Sequence, residues 1–192
     1  MANTKSIELV ASSSQKLTIA SNSDFDITTS NDRTFEMWVK TTTTTNNAGL
    51  MTRWLGTSKN ILVWGYYSTT GSVRVYAGSG SSTLGFVDAS TAINDGEWHH
   101  VAITWDGDKL RIYIDATLEG TSSSLSPTAS TGVLNYGEGN SSVYIDALFD
   151  EIRIWSTTRT QTQIDDNKDQ ELVGDESGLT RYWKLNNDLT AT

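Results

Sequence analysis

The stretch Gly96 to Asp115, GEWHHVAITWDGDKLRIYID, constrains this chain more than any other. In its first half Glu97, His99, Val101, Ile103 and Trp105 fall on one face of an extended strand, and Trp98, His100, Ala102 and Thr104 on the other. In its second half Leu110, Ile112 and Ile114 face one way, and Arg111, Tyr113 and Asp115 the other. Between them stands Asp106-Gly107, a dipeptide that tolerates positive φ, and such a dipeptide between alternating runs predicts an antiparallel hairpin. Strands with one apolar face need a second layer to cover that face.

The same alternation recurs along the chain. Short strands are predicted at 6–11, 16–20, 33–40, 49–55, 60–67, 72–77, 83–88, 97–105, 109–115, 117–120, 142–146, 149–155 and 179–185. The polar tracts 41–47, 78–82 and 121–132 read as loops, because Ser, Thr, Gly and Asn bond locally to backbone and bury little. One short helix is expected within 160–170, on the rim, with Thr160 and Gln163 matching a capping box. Phe35, Met37, Val39, Ile61, Val63, Val73, Val75, Val101, Ile103, Ile112, Ile114, Ile152 and Ile154 are the candidate core.

A chain of 192 residues can bury enough surface to hold one large all-β domain without covalent staples, which matters because it has no cysteine. The net charge of −9 and the lack of a basic stripe argue against a nucleic-acid partner. No apolar run is long enough to insert in a membrane, and MANTKSIELV lacks the features of a signal peptide. Met1 reads as an expression start and the end at Thr192 as the edge of an excised domain of a larger parent chain.

The order of EWHHVAITWDG followed by a strand ending in YID resembles the laminin G-like, or concanavalin A-like, jelly rolls. FDEIRIW (149–155), a helical pattern around Ile164 and the closing GLTRYWKL (178–185) resemble the end of that family. SIELVASSSQKLTIASNSDFDI and RTFEMWVK (33–40) resemble its beginning, so the likeness runs from about Ser6 to Leu185. It implies an all-β, two-sheet antiparallel jelly-roll sandwich, one domain with a core of about 6–185, whose first and last strands are neighbours. For function it implies less, since this superfamily, related to the pentraxins, holds lectins, adhesion modules and a few hydrolases.

Laminarinase-like hydrolases of this fold place acids as Glu-x-Asp-x-x-Glu along one strand. The nearest segment here begins at Glu151 and has Arg153 where the Asp is required, which reads as a structural salt link. His99 and His100 are adjacent in a strand, so they point to opposite faces and cannot share a metal. Calcium (Ca2+) is the one cofactor the resemblance raises, at the sandwich rim, held by carboxylate and amide oxygens. Glu138, Asn140 and Asn60 match best, although Lys59 stands where a pentraxin-like site has an Asp. Asp24 and Asp26 form a second candidate. Asp150 is a third: alternation puts it on the face of Ile152 and Ile154, where a carboxylate must be hydrogen-bonded, paired or metal-bound.

Aromatic residues offer a binding surface. If Val63 and Val73 face the core, Trp64, Tyr66, Arg74 and Tyr76 face away and form one patch on a hairpin, suited to stacking a sugar ring. The competing reading has loop 121–132 covering these aromatics, or the aromatics stiffening the sheet through cross-strand pairs. Trp54 and Tyr136 are further rim candidates. The expectation is a non-catalytic module of an extracellular or surface-exposed protein, recognising glycan or mediating cell-surface adhesion. The alternative is a structural or protein-binding domain of an adhesin or of a phage or virion surface.

Overall fold

The computed structural model describes residues 5–55, 58–67, 70–139 and 142–186. In chain order its strands are β1 (Ile7–Leu9), β2 (Leu17–Ile19), β3 (Arg33–Thr41), β4 (Gly49–Leu55), β5 (Ser58–Tyr67), β6 (Ser72–Ser79), β7 (Ser82–Ala92), β8 (Trp98–Trp105), β9 (Leu110–Ile114), β10 (Thr117–Thr121), β11 (Leu134–Tyr136), β12 (Ala147–Trp155) and β13 (Leu179–Trp183), with one α-helix, α1 (Gln161–Lys168). They form two sheets. One runs β1-β12-β3-β8-β9-β10 with β13 also on β12, and the other runs β2-β11-β4-β5-β6-β7. The pairings within both are antiparallel, as one-sided alternation demands.

The hairpin read first is β8–β9, with Trp105 opposite Leu110. Its turn is held by Asp106, whose Oδ1 accepts from the backbone N–H groups of Asp108 and Lys109, and Gly107 adopts φ 84°. Val101, Ile103 and Trp105 lie in the core, and every other residue in the candidate core joins them in one cluster between the sheets. The Trp105 indole is fully buried and donates to the Thr28 carbonyl at 2.7 Å, so its one polar atom is satisfied.

Four expectations need correction or refinement. First, residues 142–146 are not a strand: Tyr144 makes an isolated bridge to Glu138. The strand that fills this place is β11, between β2 and β4, with Leu134 and Tyr136 buried in the core. Tyr136 is therefore an interior residue, against Phe149, and not a rim aromatic. Second, β1 and β13 are neighbours, as expected, but without pairing with each other. They lie end to end along one edge of β12, β1 on residues 147–149 and β13 on residues 152–155.

Third, Asp150 does not share the face of Ile152 and Ile154. The β12–β3 register slips by one residue between Asp150 and Arg153, and Glu151 sits at φ 49°. This bulge inverts the alternation. Asp150 pairs with Trp38, on the outer face, and accepts from the Glu151 N–H at 2.9 Å.

Fourth, α1 is not at the rim. Ile164 is fully buried and packs with Ala102, Tyr113 and Ala116, so the helix covers the outer face of the β12-β3-β8-β9 sheet. Its capping box is complete, Thr160 and Gln163 each accepting from the other's backbone N–H. Charged groups are buried beneath it. Glu36 lies 3.2 Å from Arg159 Nε and 3.7 Å from Arg153 Nη1, and His100 Nε2 is 3.6 Å away. Arg153 and the Trp38 indole donate to the Asn167 and Lys168 carbonyls, tying the helix C-terminus to the sheet.

Candidate functional site

The outer face of the other sheet is where the aromatic reading is tested. Val73, Val75 and Ala77 of β6 are fully buried, so Arg74 and Tyr76 face away from the core, as alternation required. On β7, Val87 and Ala89 are buried while Phe86 and Asp88 are exposed. The register sets two rows across three strands: Trp64, Arg74 and Asp88 in one, Leu62, Tyr76 and Phe86 in the next. The side chains of Trp64 and Tyr66 lie outside the described residues, and only their strand positions enter here.

Arg74 is the centre of this face. Its Nε and Nη2 both donate to the Asp88 carboxylate, the latter at 2.6 Å, a bidentate pair, and its Nη1 donates to Tyr76 Oη at 3.1 Å. The guanidinium carbon stands 3.9 Å from the Phe86 ring centroid and 5.6 Å from that of Tyr76. The Asp88 carboxylate raises the Arg74 pKa further above its ordinary value, against the opposing effect of burial. Phe86 is thus backed by a fixed cation and still 50% exposed, with the Tyr76 ring tilted beside it at 5.7 Å. Sequence reasoning missed Phe86 and Asp88. The signal was available, since Val87 and Ala89 as core residues would have turned both outward beside Arg74 and Tyr76.

Loop 121–132 does not cover this face. Leu125 reaches inward over Gly85, Thr128 accepts from Asn60, and Ser130 and Gly132 accept from Arg53, so the loop closes one end of the sandwich.

The calcium candidates do not assemble into one site. Asp26 accepts from Arg53 Nε at 2.9 Å and from the Ser130 N–H, so a buried guanidinium already neutralises it. Asp24 pairs with Arg181 at 2.8 Å. The fully buried Asn60 uses its amide to clamp the Ile27 backbone in both directions. Glu138 is held by Lys16 at 2.7 Å and by Asn135. Asn140 lies outside the described residues. A dication placed at Asp26, Asp24 or Glu138 would face Arg53, Arg181 or Lys16, so these three carboxylates do not fit a calcium ion. Among the described residues there is no cluster of three or more metal-ligating side chains.

Glu151 is 3% exposed and accepts from Arg153 Nη2 at 2.7 Å and from the Tyr182 hydroxyl. It is the buried half of a salt link, as the sequence suggested. The histidines separate as expected. His100 is buried near Glu36, while His99 bridges Asp115 (2.8 Å from Nδ1) and Asp95 (3.2 Å from Nε2). Two open clefts at the strand ends, of 240 Å³ beside Lys40 and Asp146 and of 570 Å³ beside Asn31 and Asp106, have no aromatic lining residue.

Comparison with known proteins agrees with this architecture. The family described as the concanavalin A-like lectin/glucanases superfamily matches residues 11–165. A candidate carbohydrate-binding protein from Bacteroides ovatus is similar over 100% of this chain and 54% of its own, at 18% identity and a TM-score of 0.75. The chain thus spans about half the length of that relative. Domain 4 of AbnA, an extracellular arabinanase of Geobacillus stearothermophilus solved with arabinotriose, is similar over 84% of this chain and 75% of its own, at 18% identity and TM-score 0.65. A heptameric pentraxin from Limulus polyphemus aligns over 78% and 79%, at 14% identity and TM-score 0.57. At these identities the likeness is one of fold. A comparison with curated proteins finds no match.

Proposed function

The chain belongs to the concanavalin A-like lectin/glucanase superfamily, and from this we propose that it is a non-catalytic carbohydrate-binding module of a larger extracellular or surface-exposed protein. Its ligand lies on the outer face of the six-stranded sheet, on Phe86 and Tyr76 beside Arg74. The observation that carries this reading is the half-exposed Phe86 ring, held in place from below by the Arg74 guanidinium. A sugar ring has apolar C–H faces and a polar rim, so a stiff aromatic surface with fixed acceptors beside it takes up both. The exposed Asp88 carboxylate has acceptor capacity beyond its two bonds to Arg74 for ligand hydroxyls. The relatives reported as carbohydrate-binding and as arabinotriose-bound support the reading.

A glycan array tests it. Reproducible hits are expected, weakened about tenfold by Phe86→Ala, which corresponds to ~1.4 kcal/mol, and weakened also by Tyr76→Ala and Trp64→Ala. Silence on the array, with the fold verified by circular dichroism, favours instead a structural or protein-binding module.

A further inference from the structure

The charges on the proposed site are already matched within the protein. Arg74 would be the natural partner for a carboxylate or sulfate on a ligand, and both edges of its guanidinium are engaged: Nε and Nη2 by Asp88, Nη1 by Tyr76. One of its faces lies on Phe86. Of the other described cations on the strands of this sheet, Arg53 is paired with Asp26 in the interior, and Lys59 of β5 stands over the Trp54 ring of β4, two strands away from Phe86. Two residues beyond Asp88, Ser90 and Thr91 bind the Glu119 carboxylate, which adds a fixed negative charge to the flank of β7. The chain as a whole carries −9.

An anionic glycan approaching Phe86 would meet the exposed Asp88 carboxylate and, beside it, an arginine that Asp88 already holds. A neutral sugar meets an apolar ring and oxygen acceptors. We propose that this patch selects neutral glycans over those bearing uronic acid, sulfate or phosphate, and that Asp88, by holding Arg74, is the residue that sets the exclusion. This rests on the carbohydrate-binding reading above and deepens it. The device is negative selection by an internal ion pair: removing Asp88 unmasks a cation against two aromatic rings.

Affinity electrophoresis of the whole chain in gels containing arabinan, xylan or mixed-linkage glucan, against polygalacturonate or alginate, reads the preference directly. Retention is expected in at least one neutral gel, changing less than about twofold between low and high salt, as screening predicts for an uncharged ligand. No retention is expected in the polyuronates. Asp88→Asn should gain about tenfold in polyuronate retention, lost again at high salt. Wild-type retention by polyuronates equal to that by neutral gels overturns the proposal and leaves the binding-module reading standing. Asp88→Asn that folds, as judged by circular dichroism, but gains nothing also overturns it. Wild type retained by no polysaccharide of either kind removes both readings together. Salt dependence of the wild type stands as a test on its own should the variant misfold.

Discussion

Asp26 and Asp88 each hold an arginine, and their surroundings give the two pairs different weights. The Asp26–Arg53 pair is buried, Arg53 being 1% exposed, and it also ties loop 121–132 to β4. Asp26→Ala would strand a guanidinium in the interior, and a loss of about 3–5 kcal/mol is expected in urea unfolding. Asp88 is 39% exposed and its partner Arg74 10%, so Asp88→Ala should cost less, about 1–2 kcal/mol in the same measurement, with an effect on binding as well. His99 supplies a pH test. Partial burial opposes its charge, but the Asp115 and Asp95 carboxylates together outweigh that and raise its pKa. A histidine that binds its proton more tightly when folded adds stability below its unfolded pKa of about 6.5. That stability is lost as pH rises through the higher folded value. The melting temperature of wild type over His99→Asn should therefore be largest at mildly acid pH and shrink from about pH 6.5 upward. At this scale the sequence showed which groups carry charge but not which cation meets which carboxylate. Asp24 and Asp26 looked like metal oxygens because Arg181 and Arg53 are distant in sequence.

Elements with long alternation were legible, and short or irregular ones were not. β8 and β9 follow from period and turn chemistry alone. β11 has only three residues, too few for a period, and exists because β2 and β4 leave its two backbone edges satisfied. The bulge in β12 was equally hidden, because nothing in FDEIRIW marks where one residue steps out of register. Glu151 holds the left-handed conformation there while bonded to Arg153 and Tyr182. Glu151→Ala loses those bonds and keeps the strain, whereas Glu151→Gly loses the bonds and releases it. Chemical denaturation should find the glycine variant more stable than the alanine variant by roughly 1 kcal/mol. The capping box of α1 was readable because it is local, and Thr160→Ala should cost about 1 kcal/mol in the same experiment.

Across the whole molecule, two sheets enclose one apolar core, the α1 segment seals the outer face of one sheet, and the other sheet presents Phe86. Among the described residues, this asymmetry leaves Phe86 exposed on the face proposed to take a ligand. Of the carboxylates named for calcium, Asp26, Asp24 and Glu138 are paired with Arg53, Arg181 and Lys16. Chelator is therefore expected to leave the melting curve unchanged, and a drop on chelation would mean an ion bound at other groups. The sequence by itself determined the layered all-β architecture, the residues of the core and the cap of the helix, because period, turn chemistry and capping act between residues near one another in the chain. Only the tertiary structure decided which face α1 would bury, where Asp150 would turn and which acid would hold Arg74. Those outcomes depend on groups brought together from opposite ends of the chain, and on a one-residue slip whose energy is settled by the packing around it.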